Sequence, residues 1–385
     1  MLKTLLMFLS ATFALGVRAA SDNEVHLTLI ETSDVHGNFF PYDFLAGGKP
    51  GSGSLARAAT YIDSLRLARG DDSVILLDNG DILQGQPTAY YYNFIDTTAI
   101  HLCADVLNHM RYDAVTVGNH DIEAGHDVYD RWARQCRMPV LGANAIRCND
   151  GSPYFLPYTI IERHSIRVAV LGMITTGIPQ WVPQNLWEGM EFQAIEDIAN
   201  RYMPRLRHEA DVVVGLFHSG MGNPERYTPL GESVAEAIAR RVPGFDIIFC
   251  GHDHRIANRT VVNSEGGRTL ILNPGANAEA LAQAEITVRR DAEHGFTTMR
   301  VGGKTVDLRQ QEPSETFMKR FEEPCNAVRK FVTEKVGRSR ATMDTRPSFF
   351  GPSAFVHFIH EMQLQISGAE ISFAAPLAFD ATIAR

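Results

Sequence analysis

Short hydrophobic runs that stop abruptly at His, Asp or Asn recur along this chain. Residues 25–30, 73–77, 113–117, 211–217 and 245–250 each read as a predominantly hydrophobic strand. Runs of that kind suit strands covered on both faces. Residues 140–144, 168–174, 270–275, 284–288 and 298–301 predict further core strands, while 55–67 and 97–110 carry apolar residues at helical spacing. Strands alternating with helices predict an α/β protein, in which ligands sit beyond the carboxyl ends of the strands.

Past residue 312 the pattern changes. Phe317, Phe321, Val328, Phe331 and Val332 fall on one helical face, Pro324 should bend the helix, and Gly337 should end it. Residues 348–365 predict another helix and 371–379 a strand. The stretch after Gly337 is too short for a self-sufficient domain of ordinary size.

Composition changes the picture at the amino end. The chain has 385 residues, 45% hydrophobic and 21% charged, enough to bury a large core. Residues 1–20 stand apart, with a basic start at Lys3, an apolar run over 5–17 and a small-residue site at Val17-Arg18-Ala19. That is the pattern of a secretory signal peptide, too short to span a bilayer comfortably, and it predicts a secreted or periplasmic protein without a stable membrane anchor. Removing Lys3 and Arg18 makes the net charge of −9 more negative still. An acidic surface argues against polymeric nucleic acid as a partner, yet allows small phosphate substrates if metal ions supply the positive charge. Five Cys without a C-x-x-C pair permit at most two disulfides, and Cys250, inside a strand, reads as a small apolar residue.

Candidate chemistry gathers where the hydrophobic runs end. Residues 113–117 lead into Gly118-Asn119-His120-Asp121, and 25–30 lead to Asp34-Val-His36. In an extended segment residues i and i+2 point the same way, so one cation can touch both Asp34 and His36. Residues 73–77 run on to Gly80-Asp81, 211–217 end on His218, and 245–250 lead to Gly251-His252-Asp-His254. Each piece alone is also ordinary turn chemistry. Recurrence at five strand ends points to one site. His126 and His164 stand alone and read as surface or core residues.

Asp34, His36, Asp81, Asn119, His218, His252 and His254 are a mixed O and N set suited to two divalent cations that share one bridging carboxylate. Imidazole and carboxylate without thiolate favour Zn, Mn, Fe or Co. Two such ions roughly 3.5 to 4 Å apart generate hydroxide at neutral pH and clamp both oxygens of an in-line phosphoryl displacement. His120 is left without a metal and can face the leaving group, and Glu123 could orient its ring.

In order, Asp34-x-His36, Gly80-Asp81, Gly118-Asn119-His120-Asp121, His218 and Gly251-His252-x-His254 resemble the five motifs of calcineurin-like metallophosphoesterases. Residues 25–308 resemble the catalytic domain of secreted 5'-nucleotidases and 2',3'-cyclic-nucleotide 2'-phosphodiesterases. The resemblance implies a four-layer α/β/β/α sandwich over 22–310, then a linker helix over 311–337 and the start of a second α/β domain over 338–385. It implies one metal on Asp34, His36, Asp81 and His254, and a second on Asp81, Asn119, His218 and His252. Asp81 would bridge, while Asn119 and His120 would contact the phosphate and His120 would stabilise the transition state. Glu123 stands where the family commonly has Asp. Residues 369–377 resemble only an early strand of the family's base-binding domain, so the chain reads as carboxy-terminally truncated. The expected activity is hydrolysis of nucleotide phosphate esters, cyclic or monoester, and residues 33–38 with Tyr42-Asp43-Phe44 resemble the cyclic-nucleotide branch more closely. The alternative is an inactive metal-binding fragment or scaffold.

Overall fold

The computed structural model describes residues 24–44, 49–291, 295–375 and 382–383; the expected signal peptide lies outside them. Two compact units divide the chain, one up to Val332 and one from Thr333.

The first unit contains two six-stranded sheets. Strands β1 (Glu24–Thr32), β2 (Val74–Asp78), β3 (Ala114–Thr116) and β4 (Val140–Leu141) run parallel in the first. The second holds β5 (Tyr158–Arg163), β6 (Ile166–Ile174), β7 (Val212–His218), β8 (Ile247–Cys250), β9 (Ile256–Val262) and β10 (Arg268–Pro274), in the order β9-β10-β8-β7-β6-β5. The hairpin of β11 (Ala280–Asp291) and β12 (Gly295–Asp307) closes the first sheet, β11 pairing antiparallel with β1.

Period-two alternation sorts each strand's side chains between two cores. Leu27, Ile75 and Leu77 meet Val168, Val214 and Phe249 between the sheets. On the outer face of the first sheet Ile30, Leu76 and Val115 join a cluster with helices α1 (Leu55–Arg69), α2 (Leu102–Met110) and α3 (His126–Gln135), through Ala58, Leu107 and Trp132. Ala169, Val213 and Ile248 do the same for the second sheet with α4 (Ile195–Glu209) and α5 (Ala235–Arg241). The layers therefore read helix, sheet, sheet, helix, which is why the strands are apolar on both faces.

Several boundaries differ from the expected ones, each for a local reason. The helix expected over 97–110 starts at Leu102, because Asp96 accepts the N–H groups of Thr98 and Ala99 in a turn and His101 caps the helix instead. The expected single bent helix after 312 is two, α6 (Glu315–Arg320) and α7 (Glu322–Val332), broken at Phe321. Pro324 sits in the first turn of α7, where its missing N–H costs nothing, so it does not bend the helix. Phe317, Phe321 and Val328 are fully buried in the core shared with α1 and α2.

In the second unit, the helix expected from 348 begins at Ala354 (α8, Ala354–Ser367), after Gly351-Pro352 and with Ser353 capping the Val356 N–H. Residues 371–375 of the expected terminal strand are irregular, and 376–379 lie outside the described residues. No helix among the described residues is long and apolar enough to cross a membrane. All five cysteines are unpaired.

Candidate metal centre

Five strands of the two sheets deliver their carboxyl-end loops to one place. Asp34 and His36 follow β1, Asp81 follows β2, Asn119 and His120 follow β3, His218 ends β7, and His252 and His254 follow β8. Asp34, His36, Asp81, His252 and His254 all have positive φ, between 51° and 69°. The expectation of an extended Asp34-x-His36 is therefore corrected: β1 ends at Thr32, and left-handed turns aim the two side chains. Non-glycine residues held there are strained, and such strain collects at functional sites.

The side chains form two groups. Potential ligand atoms of Asp34, His36 and His254 lie within 4.8 Å of one another, as do those of Asp81, His218 and His252. His36 and His254 face each other Nε2 to Nε2 at 3.1 Å, and His254 Nε2 is 3.3 Å from Asp34 Oδ1. His218 Nε2 lies 3.1 Å from both Asp81 Oδ2 and Asn119 Oδ1. The i, i+2 imidazoles of His252 and His254 thus part, one to each group.

Backbone carbonyls set the tautomers. His36 Nδ1 bonds Gln84 O at 3.0 Å and His218 Nδ1 bonds Asn79 O at 2.7 Å, so the protons sit on Nδ1 and the Nε2 lone pairs face inward. In the second group a lone pair, a carboxylate and an amide oxygen then converge, three acceptors around one point. A positive charge reconciles them. Without an ion a proton does so: burial alone would lower the His218 pKa, but the Asp81 carboxylate raises it to about 10. Divalent cations suit this donor set better, because the acceptors surround them on several sides.

Asp121 had no role assigned from sequence and proves to be the hub of the surrounding backbone. Fully buried, its carboxylate accepts the N–H groups of Asp81 (2.9 Å), Ile82 (2.9 Å), Leu83 (2.8 Å) and Gly118 (2.7 Å). It thereby ties the loop after β2 to the loop after β3. Burial and the Asp81 charge push its pKa up to about 6, against donors that favour the anion. Gly118 is needed by contact: a Cβ there would come within 2.2 Å of Asp81 Oδ1.

His120 stands beside the first group, its ring centroid 5.5 Å from that of His36. Its N–H donates to Asp81 Oδ1 at 2.8 Å and its Nδ1 pairs with Glu123 Oε2 at 2.5 Å, leaving Nε2 without a partner among the described residues. Burial alone would lower its pKa; the Glu123 carboxylate and Asp81 overcome that and raise it. Sequence reasoning also missed Trp181, whose ring stacks on His252 with centroids 5.6 Å apart. Nothing but an aromatic near a Gly-Ile-Pro turn marked it. A cleft of about 850 Å³ lined by Glu232, Asp253 and Arg255 adjoins the second group. A larger cavity, about 960 Å³, lies at the amino ends of β1 and β2, lined by Glu24 and Ser73, and holds none of this chemistry.

Comparison with known proteins agrees with this geometry. Residues 27–255 match the calcineurin-like phosphoesterase family. The chain is 30% identical over 247 residues to the trifunctional nucleotide phosphoesterase YfkN of Bacillus subtilis, covering 60% of this chain and 17% of that protein. It is 26% identical over 380 residues to a 2',3'-cyclic-nucleotide 2'-phosphodiesterase/3'-nucleotidase of Haemophilus influenzae, covering 90% of this chain and 56% of the relative. Among solved structures, the YfkN calcineurin-like phosphoesterase superposes with a TM-score of 0.72 at 24% identity, covering 81% of this chain and all (100%) of that one. A 5'-nucleotidase precursor from Thermus thermophilus gives 0.65 at 19% identity, over 90% of this chain and 68% of that one. These two likenesses show the fold. The chain spans no more than 56% of the length of the first curated relatives it matches. With more than half of its residues matched and the strand-end groups assembled at one place, the chain belongs to the calcineurin-like phosphoesterase family.

Proposed function

We propose that this chain hydrolyses phosphate esters of nucleotides, as a 2',3'-cyclic-nucleotide 2'-phosphodiesterase, a 5'- or 3'-nucleotidase, or both, using two divalent cations. The observation that carries the reading is the pair of inward-facing acceptor groups with the free His120 Nε2 beside them. Asp34, His36, Asp81 and His254 would hold one cation, and Asp81, Asn119, His218 and His252 the other, with Zn, Mn, Co or Fe all suited to the donors. Such ions supply Lewis acidity toward the phosphoryl oxygens and make water a nucleophile at neutral pH.

The chain's own residues do the rest. Asp81, whose Oδ1 accepts the His120 N–H, would join the two sites. Asn119 and His120 reach the phosphate, and Glu123 holds the imidazole so that Nε2 points at the developing charge on the ester. The amino-terminal apolar pattern supports a role outside the cytoplasm, and the names of the relatives support action on small nucleotides rather than nucleic-acid polymers.

The test is turnover of a 2',3'-cyclic nucleotide, a 3'-monophosphate and a 5'-monophosphate with Mn²⁺ present, for the wild type and His120→Asn. The expected result is turnover of at least one substrate, with kcat about 10² to 10⁴ lower in the variant and metal content intact. Two bound cations with no turnover of any of the three would favour the scaffold reading. Loss of metal in His120→Asn would make His120 a ligand and overturn its assigned role.

A further inference from the structure

Beneath the second acceptor group lies a buried polar pair that the chemistry above does not use. Glu31 and Asn79 are both 0% exposed, between β1 and the turn after β2. Asn79 Nδ2 spends both hydrogens, one on Phe217 O and one on Glu31 Oε1, each at 3.0 Å. Two acceptors fix which end of the amide is nitrogen, since a flip would set oxygen against oxygen twice. Asn79 Oδ1 and Glu31 Oε2 are then left without a partner among the described residues. Two orphan acceptors on the same pair of groups are costly in a core.

One proton on Glu31 Oε2, shared with Asn79 Oδ1, would remove both faults. A carboxylic acid set against a primary amide closes a ring of two hydrogen bonds, Oε1 accepting from Nδ2 and Oε2–H donating to Oδ1. The surroundings favour that proton. Burial, and after it the nearby Asp34 and Asp78 carboxylates, raise the Glu31 pKa well above the usual range, while the Asn79 N–H opposes this. No Lys, Arg or His pairs with it among the described residues.

Asn79 in turn grips the metal centre. Its backbone N–H donates to Thr32 O at 2.8 Å, its carbonyl accepts from His218 Nδ1 at 2.7 Å, and its side chain holds Phe217 O. We propose that Glu31 is a positioning residue for the second cation site: as a neutral acid it locks the Asn79 side chain, and with that residue the backbone carbonyl that fixes the ring and tautomer of His218. The inference rests on the two-cation reading. It sets a proton-bearing carboxyl group two bonds behind a ligand, where an anion would normally be expected to tune a histidine.

The test compares wild type, Glu31→Gln and Glu31→Leu by calorimetric titration with Mn²⁺, with no substrate present. Gln reproduces the donor and acceptor of the neutral acid, so Glu31→Gln should keep wild-type affinity at both sites. Glu31→Leu orphans Asn79 and should weaken one of the two binding events about 10- to 100-fold. Weakening by Gln equal to that by Leu would mean Glu31 acts as a buried anion, and wild-type affinity in the Leu variant would mean the pair positions nothing. Either result overturns the inference and leaves the two-cation reading standing; a wild type that binds no cation overturns both. Should Glu31→Leu fail to fold, infrared difference spectra of wild type against Glu31→Gln decide the matter. A protonated-carboxyl C=O band at neutral pH, present only in the wild type, is expected. Its absence contradicts the proposal.

Discussion

At the scale of single residues, the site is built from side chains that satisfy backbone as much as from those that would bind ions. Asp121, fully buried, holds four N–H groups at 2.7 to 2.9 Å. Asp121→Ala should therefore cost at least about 3 kcal/mol in urea unfolding, the order expected when several buried donors lose a charged acceptor. Cation binding should weaken with it, because the Asp81 loop loses its anchor. A loss below about 1 kcal/mol would mean the loops hold their shape without this carboxylate. The sequence displayed Asp121 in plain view but not its work: an Asp after Asn-His reads as a turn residue, and its acceptor role depends on loop contacts nearly forty positions away. The left-handed turns at Asp34 and His36 were equally hidden, because only glycine announces positive φ from its identity.

Among the elements, strands were the most legible and helix starts the least. Hydrophobic runs marked β1, β2, β6, β7 and β8, since burial on both faces leaves few polar positions within a strand. The start of α2 was misplaced because an Asx turn at Asp96 competes with the helix, and histidine is a poor signal for a cap. That cap has a pH consequence. His101 is fully buried, bonded to Asn93 Oδ1 at 2.8 Å, and burial drops its pKa from 6.5 to about 3. The unfolded chain takes up a proton as pH falls below about 6.5 while the folded one does not, so this residue's stabilisation is present above that pH and lost toward pH 3. Urea midpoints measured from pH 7 to 4 should fall less steeply in His101→Gln than in the wild type. Parallel curves would contradict a neutral buried imidazole. The helical pair after residue 312 makes a second prediction. Phe317 is fully buried with α1 and α2, so Phe317→Ala should destabilise the first unit by about 3 to 5 kcal/mol. A change under about 1 kcal/mol would make that segment a loose appendage.

For the molecule as a whole, the family motifs were readable because they combine rare residue types at strand ends in a fixed order. The layer count was not readable from periodicity: a doubly wound sheet and a two-sheet sandwich both produce strands covered on two faces. The resemblance supplied the sandwich, and the clusters between and outside the sheets account for it physically. The same architecture explains how residues as distant in sequence as Asp34 and His254 come within 3.3 Å, since β1 and β8 present their carboxyl ends on the same side of stacked sheets. Anomalous scattering from crystals grown with Mn²⁺ tests the two-cation centre most directly. Two peaks are predicted, roughly 3.5 to 4 Å apart, both in contact with Asp81, one beside His36 and His254 and the other beside His218 and His252. A single peak, no peak, or a second ion away from Asp81 would contradict the account.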